Sequence, residues 1–223
     1  MTLYLSRLRL SRAPSARSLN DLLNPPEPGK RLDAHHRLIW AAFADDPDRK
    51  RDFLWREEGE GRFLTLSSRP PVACDLFDPP EVKDFTLDLH AGDHLAFSLR
   101  ANATRDRKGV GRVDVVMDAL RDVPKGERAG ARMGIAGRQG ADWMTRQGAV
   151  AGFRPVEVSV ADYSVTALPS HRGKRAGQPQ FGILDLTGVL EVIDPAAFLD
   201  QLAKGFGRAK AFGCGLMLIR RVG

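Results

Sequence analysis

Cysteine is nearly missing from this chain: Cys74 and Cys214 are the only two in 223 residues. Two isolated thiols exclude a disulfide framework and point to a reducing cytoplasm. The stretch from Met1 to Leu10 does not read as a secretion signal, because Arg7 and Arg9 interrupt its apolar residues. Long hydrophobic runs are missing as well. None approaches the roughly 18 residues a spanning helix needs, so no membrane-crossing helix is expected. Histidine is scarce, with five residues: His35, His36, His90, His94 and His171. His35 and His36 are adjacent, so on a helix they point about 100° apart and cannot chelate one ion as an i, i+4 pair would. His90 and His94 flank a turn-like Ala91-Gly92-Asp93, and neither cysteine has a partner at ligand spacing. The residues argue for no metal and no cofactor. No Ser/His/Asp or Cys/His nucleophile set stands out.

What is present is positive charge, +6 net with a pI near 9.7. It is clustered. Between Arg100 and Arg138 ten Lys/Arg face five acids, a surplus of five in under forty residues. This stretch includes Arg100, Arg105, Arg107, Lys108, Arg112, Arg128 and Arg132. A second cluster is His171-Arg172-Gly173-Lys174-Arg175, and a third runs from Arg208 to Arg221 with four cations and no acid. Any one of these is an ordinary solvated surface; three of them tilt toward a polyanion such as nucleic acid.

The third cluster contains a glycine-rich loop, Gly205-Phe206-Gly207-Arg208-Ala209-Lys210-Ala211-Phe212-Gly213-Cys214-Gly215. Glycine lets backbone N–H groups approach a ligand, and Arg208 and Lys210 add charge, so phosphate is one candidate guest. No Gly-Lys-Ser/Thr follows, and Lys210 stands where a dinucleotide fingerprint needs its third glycine. Neither nucleotide class fits, which makes a polymer backbone a guest to consider. Tight packing alone is the other explanation of the glycines.

Hydrophobic patterning predicts an α+β protein in two parts, residues 1–90 and 91–223. Leu3–Leu10 alternates as a strand, and 24–30, with three prolines and a glycine, reads as irregular chain. A helix is expected over 33–44, capped by Asp33, followed by strands at 53–56, 62–67 and 85–89. The second part opens on a strand at 95–102. Six glycines make 103–138 read as loop and short helix, with a helix at 142–148. Strands follow at 156–160, 163–168, 180–186 and 189–193. Asp194 and Pro195 then open a helix that stops at Gly205. The order of elements in the first part is close to one ferredoxin-like unit.

His36 is the residue whose chemistry fits RNA cleavage. An imidazole near neutral pKa can take the proton of a 2′-hydroxyl that attacks the adjacent phosphate, a reaction that needs no metal. In a helix starting at Asp33 it would lie in the first turn, where free N–H groups favour phosphate. It also falls at i−3, i−4 and i−7 from Ile39, Trp40 and Phe43, the spacing of a core histidine.

These parts together resemble one family over the full length: the repeat-RNA endoribonuclease of type I-E CRISPR Cascade, the CasE family. The resemblance rests on Leu3-Tyr4-Leu5-Ser6, His36-Arg37-Leu38-Ile39-Trp40, Leu99-Arg100-Ala101-Asn102 and Asp114–Leu120. Its most specific element is the terminal Gly205-x-Gly-x-x-Lys-x-x-Gly-x-Gly-Leu216. It implies two tandem ferredoxin-like (RRM-like) domains. It also implies a cytoplasmic prokaryotic enzyme that cuts the precursor transcript at the base of each repeat hairpin without metal. The enzyme would remain on the product beside the other Cascade subunits. The family's catalytic histidine falls on His36, with His35 as a substitute. The basic turn of His171, Arg172, Lys174 and Arg175 would dock on the RNA stem. Arg100, Asn102, Arg105, Arg107, Lys108, Arg112, Arg128 and Arg132 would join it, as would the loop residues Gly205, Gly207, Arg208, Lys210, Gly213 and Gly215. Two departures stand out: Asp33 replaces a frequent tyrosine, and Ala41 replaces a lysine found in some members. Transition-state charge then falls to Arg37, Lys210 or another cation. Asp33 also suggests an alternative, an RNA-hairpin-binding subunit with little or no catalysis. A third reading is a basic α+β protein holding a small phosphorylated ligand.

Overall fold

The computed structural model describes residues 2–14, 18–46, 48–168 and 180–222. The basic turn with His171, Arg172, Lys174 and Arg175 lies outside the described residues. The chain divides into two units. The first comprises Met1–Leu87, Thr166–Gln180 and Lys210–Gly213; the second comprises Asp88–Val165, Phe181–Ala209 and Cys214–Gly223. Four residues of the glycine loop therefore group with the beginning of the chain.

The first unit runs β1 (Tyr4–Arg9), α1 (Asn20–Leu23), α2 (Pro28–Ala41), β2 (Phe53–Gly59), β3 (Arg62–Ser67) and β4 (Glu81–Asp84). Its sheet has the order β2-β3-β1-β4. The neighbours pair antiparallel, with Tyr4 opposite both Ser67 and Asp84. The second unit holds β5 (His94–Ala101), the hairpin β6 (Thr104–Arg107) and β7 (Gly111–Asp114), α3 (Val115–Leu120) and α4 (Arg128–Ala151). Then come β8 (Phe153–Ala167), β9 (Gln180–Val192), α5 (Pro195–Lys204) and β10 (Met217–Arg221). Its main sheet has the order β10-β5-β9-β8. Taken by rank within each unit, both sheets read 2-3-1-4 or its reverse. That is the ferredoxin-like order, so the protein is α+β with two tandem ferredoxin-like units. Among the described residues no helix is long and apolar enough to cross a membrane.

Three elements differ from the sequence expectation, each for a physical reason. Helix α2 starts at Pro28, five residues before Asp33, because proline at the first helical position gives up an N–H that has no partner there anyway. The segment 24–30 is thus partly helical, and Asp33 lies inside the helix rather than capping it. Helix α4 covers 24 residues where loop and two short helices were expected, with Gly130, Gly134, Gly137, Gly140 and Gly148 all inside it. Each glycine costs about 1 kcal/mol in a helix, but Ile135, Ala136, Trp143 and Met144 bury one face. Two of the glycines permit that packing. A Cβ on Gly140 would stand 2.8 Å from Val160, and one on Gly148 only 2.3 Å from the Phe153 carbonyl. Lastly, β8 and β9 are single long strands, each expected as two.

The core of the first unit is Leu8, Leu38, Ile39, Ala42, Phe43, Phe53, Trp55, Phe63 and Phe77. Phe43 stacks on Phe53 with centroids 4.4 Å apart. This layer holds α2 against the sheet and sets which of its histidines faces outward.

Candidate active site and nucleic-acid interface

Helix periodicity separates the two adjacent histidines. His35 lies at i−3, i−4 and i−7 from Leu38, Ile39 and Ala42 and is 0% exposed. Its ring sits edge-on to Phe63 at 4.9 Å, and Nδ1 is 3.4 Å from Glu57 Oε2. The core histidine is therefore His35, not His36. Its buried ring has no route to a phosphate, which removes it as a substitute for His36. His36, one step round the helix, is half-buried. It is the ninth residue of α2, not a first-turn residue, so the helix N-terminus supplies it with no phosphate site.

The His36 ring lies 5.7 Å from that of Phe212, tilted 52°. Phe212 closes a 3-10 turn, Lys210–Phe212. That turn is fastened to the core of the same unit. Trp55 is fully buried, and its Nε1 donates to the Ala211 carbonyl at 3.1 Å. Gly213 follows at φ +76°, and a Cβ there would come within 3.1 Å of the Trp55 ring. Only glycine combines that left-handed backbone with that close approach. Lys210 is half-buried, and its ammonium is held below the usual lysine range, first by burial and then by the charge of Arg51. Burial also lowers Arg51. The sequence reading missed Arg51; nothing in its local pattern distinguishes it from other surface arginines. The first unit thus brings together a half-buried imidazole and an aromatic ring on the turn that carries Lys210, whose ammonium feels the charge of Arg51. Arg37 does not join them: it is exposed and reaches back to Asp33 at 3.0 Å.

The remaining loop residues belong to the second unit, and several of their amides are occupied. Phe206 N donates to Gly215 O, Arg208 N to Asn102 O, and Gly215 N to Arg100 O, at 2.8–3.1 Å. At Gly207, φ +70°, a Cβ would meet the Asn102 carbonyl at 2.7 Å. Gly205, Gly207, Gly213 and Gly215 all have positive φ. Here the packing explanation prevails: the glycines let the loop clip onto Leu99-Arg100-Ala101-Asn102, and these amides do not cradle a phosphate. Asn102 is buried, and its Nδ2 donates to the Gly182 carbonyl. Arg100 grips Asp185 through two hydrogen bonds of 2.9 and 3.1 Å. These sequence candidates hold the fold in place.

Of the other basic candidates, Arg105 and Arg107 converge on Asp118, Arg112 pairs with Asp106, and Arg128 donates to the Val123 and Arg121 carbonyls. Lys108, Arg132 and Arg208 are exposed. Among the described residues no group of three His, Cys, Asp or Glu is placed to hold a metal ion. Cys214 is buried, and burial pushes its thiol up to about 12.

A model of the CRISPR associated protein family matches residues 3–221. The chain is 26% identical over 190 residues to the CRISPR system Cascade subunit CasE of Escherichia coli strain K12, covering 82% of this chain and 88% of that protein. Two solved forms of a CRISPR endoribonuclease, Cse3, bound to a 19-nucleotide RNA are also similar. One has a TM-score of 0.70 at 24% identity, over 99% of this chain and 100% of that one. The other has 0.67 at 25%, over 98% of each.

Proposed function

The chain belongs to the CRISPR associated protein family, and we propose that it is a CRISPR repeat-RNA endoribonuclease of the CasE type. In this reading it cleaves precursor RNA at the base of the repeat hairpin in the prokaryotic cytoplasm. It then stays on the mature guide as a Cascade subunit. The similarity to CasE and to RNA-bound Cse3 supports the substrate class. The observation that carries the assignment of chemistry is the His36 ring, half-buried and set against Phe212 of the Lys210 turn.

His36 takes the proton of the 2′-hydroxyl as that oxygen bonds to phosphorus. The bond to the 5′-oxygen breaks, and that oxygen accepts a proton, leaving a 2′,3′-cyclic phosphate. An ammonium with a lowered pKa is a better acid than a free lysine, which suits Lys210 to donate that proton. Arg51 faces the charge that grows on the non-bridging oxygens. No step requires a metal. Asp33, which raised the alternative of a non-catalytic RNA-binding subunit, offers it little support. Its carboxylate is occupied by Arg37 and is not left to repel a phosphate.

The test is incubation with the cognate repeat hairpin in EDTA. Wild-type protein cuts; His36→Ala binds with unchanged affinity and cuts at least about 100-fold more slowly. His35→Leu, which replaces a core ring by a core aliphatic, cuts normally. Tight binding without cleavage by the wild type would overturn the catalytic assignment, and cleavage lost in His35→Leu alone would exchange the two histidines.

A further inference from the structure

In the second unit one buried carboxylate organises three arginines. Asp118 lies on α3 with its side chain only 4% exposed. Arg105 meets its Oδ2 through Nε at 3.0 Å and Nη2 at 2.5 Å. Arg107 Nη1 meets Oδ1 at 2.6 Å, and Arg121 Nη1 approaches the same oxygen at 3.4 Å. Arg105 and Arg107 are two apart on β6 and so share a face. Arg121 comes from the end of α3, three residues after Asp118. The hairpin and the helix thus present three guanidiniums around one point.

One arginine is enough to satisfy a buried carboxylate. The second and third leave the cluster with a surplus charge of +2, and like charges at such spacing repel. Each guanidinium carries five N–H donors, and Asp118 takes only four bonds from the three of them. The rest of each fork is solvent-accessible: the side chains are 42, 39 and 54% exposed. A fixed, multiply forked donor surface with net positive charge matches phosphate oxygens. More charge stands near it. Lys108 is exposed at the hairpin turn, and Arg208 lies close enough to Asp106 to act on its carboxyl.

We propose that Arg105, Arg107 and Arg121 form a clamp for the RNA sugar-phosphate backbone, with Asp118 as the positioning residue that holds the three guanidiniums in register. The proposal rests on the RNA-processing reading and adds the backbone-binding surface of the second unit. It brings in Arg121 and Asp118, which the basic-cluster pattern alone does not single out. Asp118 works through the arginines and touches no RNA.

The experiment is hairpin affinity across a KCl series, with cleavage silenced by His36→Ala. Arg107→Gln/Arg121→Gln keeps Arg105 on Asp118, so the buried carboxylate retains a partner. The expected result is at least a tenfold loss of affinity and a salt slope lower by about two. Arg107→Lys/Arg121→Lys restores the slope, because the charge returns. Arg121→Gln alone, the most exposed of the three, lowers the slope by about one. Asp118→Asn separates positioning from charge. It makes the protein more positive by one, so simple attraction predicts tighter binding, whereas a disordered clamp binds more weakly in a protein that still melts cooperatively. Unchanged affinity and slope in the double Gln variant, beside a wild type that binds steeply with salt, overturns the clamp and leaves the endoribonuclease reading standing. Tighter binding by Asp118→Asn removes the positioning role. A wild type with no salt-dependent affinity for the hairpin overturns both readings.

Discussion

His35 and His36 show how one step of 100° decides a residue's chemistry. The first is committed to Phe63 and Trp55 in the core, and the second is turned to Phe212. Lys210 shows a second effect, a charge held at a cost to stability. Burial and Arg51 depress its pKa, so between the folded-state and unfolded-state values the unfolded chain binds more protons. Stability therefore rises with pH through that window, and at neutral pH the charged ammonium is a cost to the fold. Lys210→Met removes that cost. The expected outcome is a melting temperature equal to or above wild type, with a single-turnover cleavage rate lower by about 100-fold or more. A variant that melts earlier and cuts normally would mark Lys210 as structural.

At the scale of elements, the joint between β7 and α3 depends on Asp114. Its Oδ1 accepts from Val116 N and Met117 N at 2.9 Å, capping the helix, and from the Tyr163 hydroxyl at 3.0 Å. Burial raises the Asp114 carboxyl, and burial together with that carboxylate raises the Tyr163 phenol. Gly182 completes the contact, since a Cβ there would lie 2.4 Å from Asp114 Oδ2. Asp114→Ala removes a cap worth about 1 kcal/mol and leaves a buried hydroxyl without its acceptor, so a loss of about 2 kcal/mol is expected in urea unfolding. Because α3 carries Asp118, the same variant also weakens RNA binding at salt concentrations where it remains folded. Element placement was legible in the sequence wherever pattern and local chemistry agreed. Examples are the alternation of β1, the Asp194-Pro195 start of α5 and the Gly205 stop. It was not legible in α4, where glycine normally signals loop. There Gly140 and Gly148 meet Val160 and Phe153, which come from a strand that follows the helix.

At the scale of the molecule, the groups assigned to chemistry and those assigned to backbone binding belong to different units. Arg51, His36 and Lys210 fall in the first, and Asp118 with its arginines falls in the second. They share no residue, so their defects should multiply. A His36→Ala variant carrying Arg107→Gln/Arg121→Gln is expected to show the rate loss of the first change and the affinity loss of the second. Single-turnover kinetics at saturating and subsaturating RNA measure both, and a combined loss smaller than the product would show that the two groups act as one. Composition and motif spacing determined much of this protein. The scarcity of cysteine, histidine and long apolar runs gave no sign of a disulfide framework, a histidine-rich metal site or a membrane-crossing helix. The clustered charge pointed to a polyanion, and the terminal glycine motif pointed to the family. These signals are local, and a chain carries them before it folds. Tertiary structure alone decided which histidine faces outward, that the loop amides of Phe206, Arg208 and Gly215 are spent on backbone carbonyls, and that Arg51 stands beside Lys210. It also gathered Arg105, Arg107 and Arg121 on one buried carboxylate. Each of these depends on which residues meet across a sheet or a helix face, and spacing along the chain does not encode that meeting.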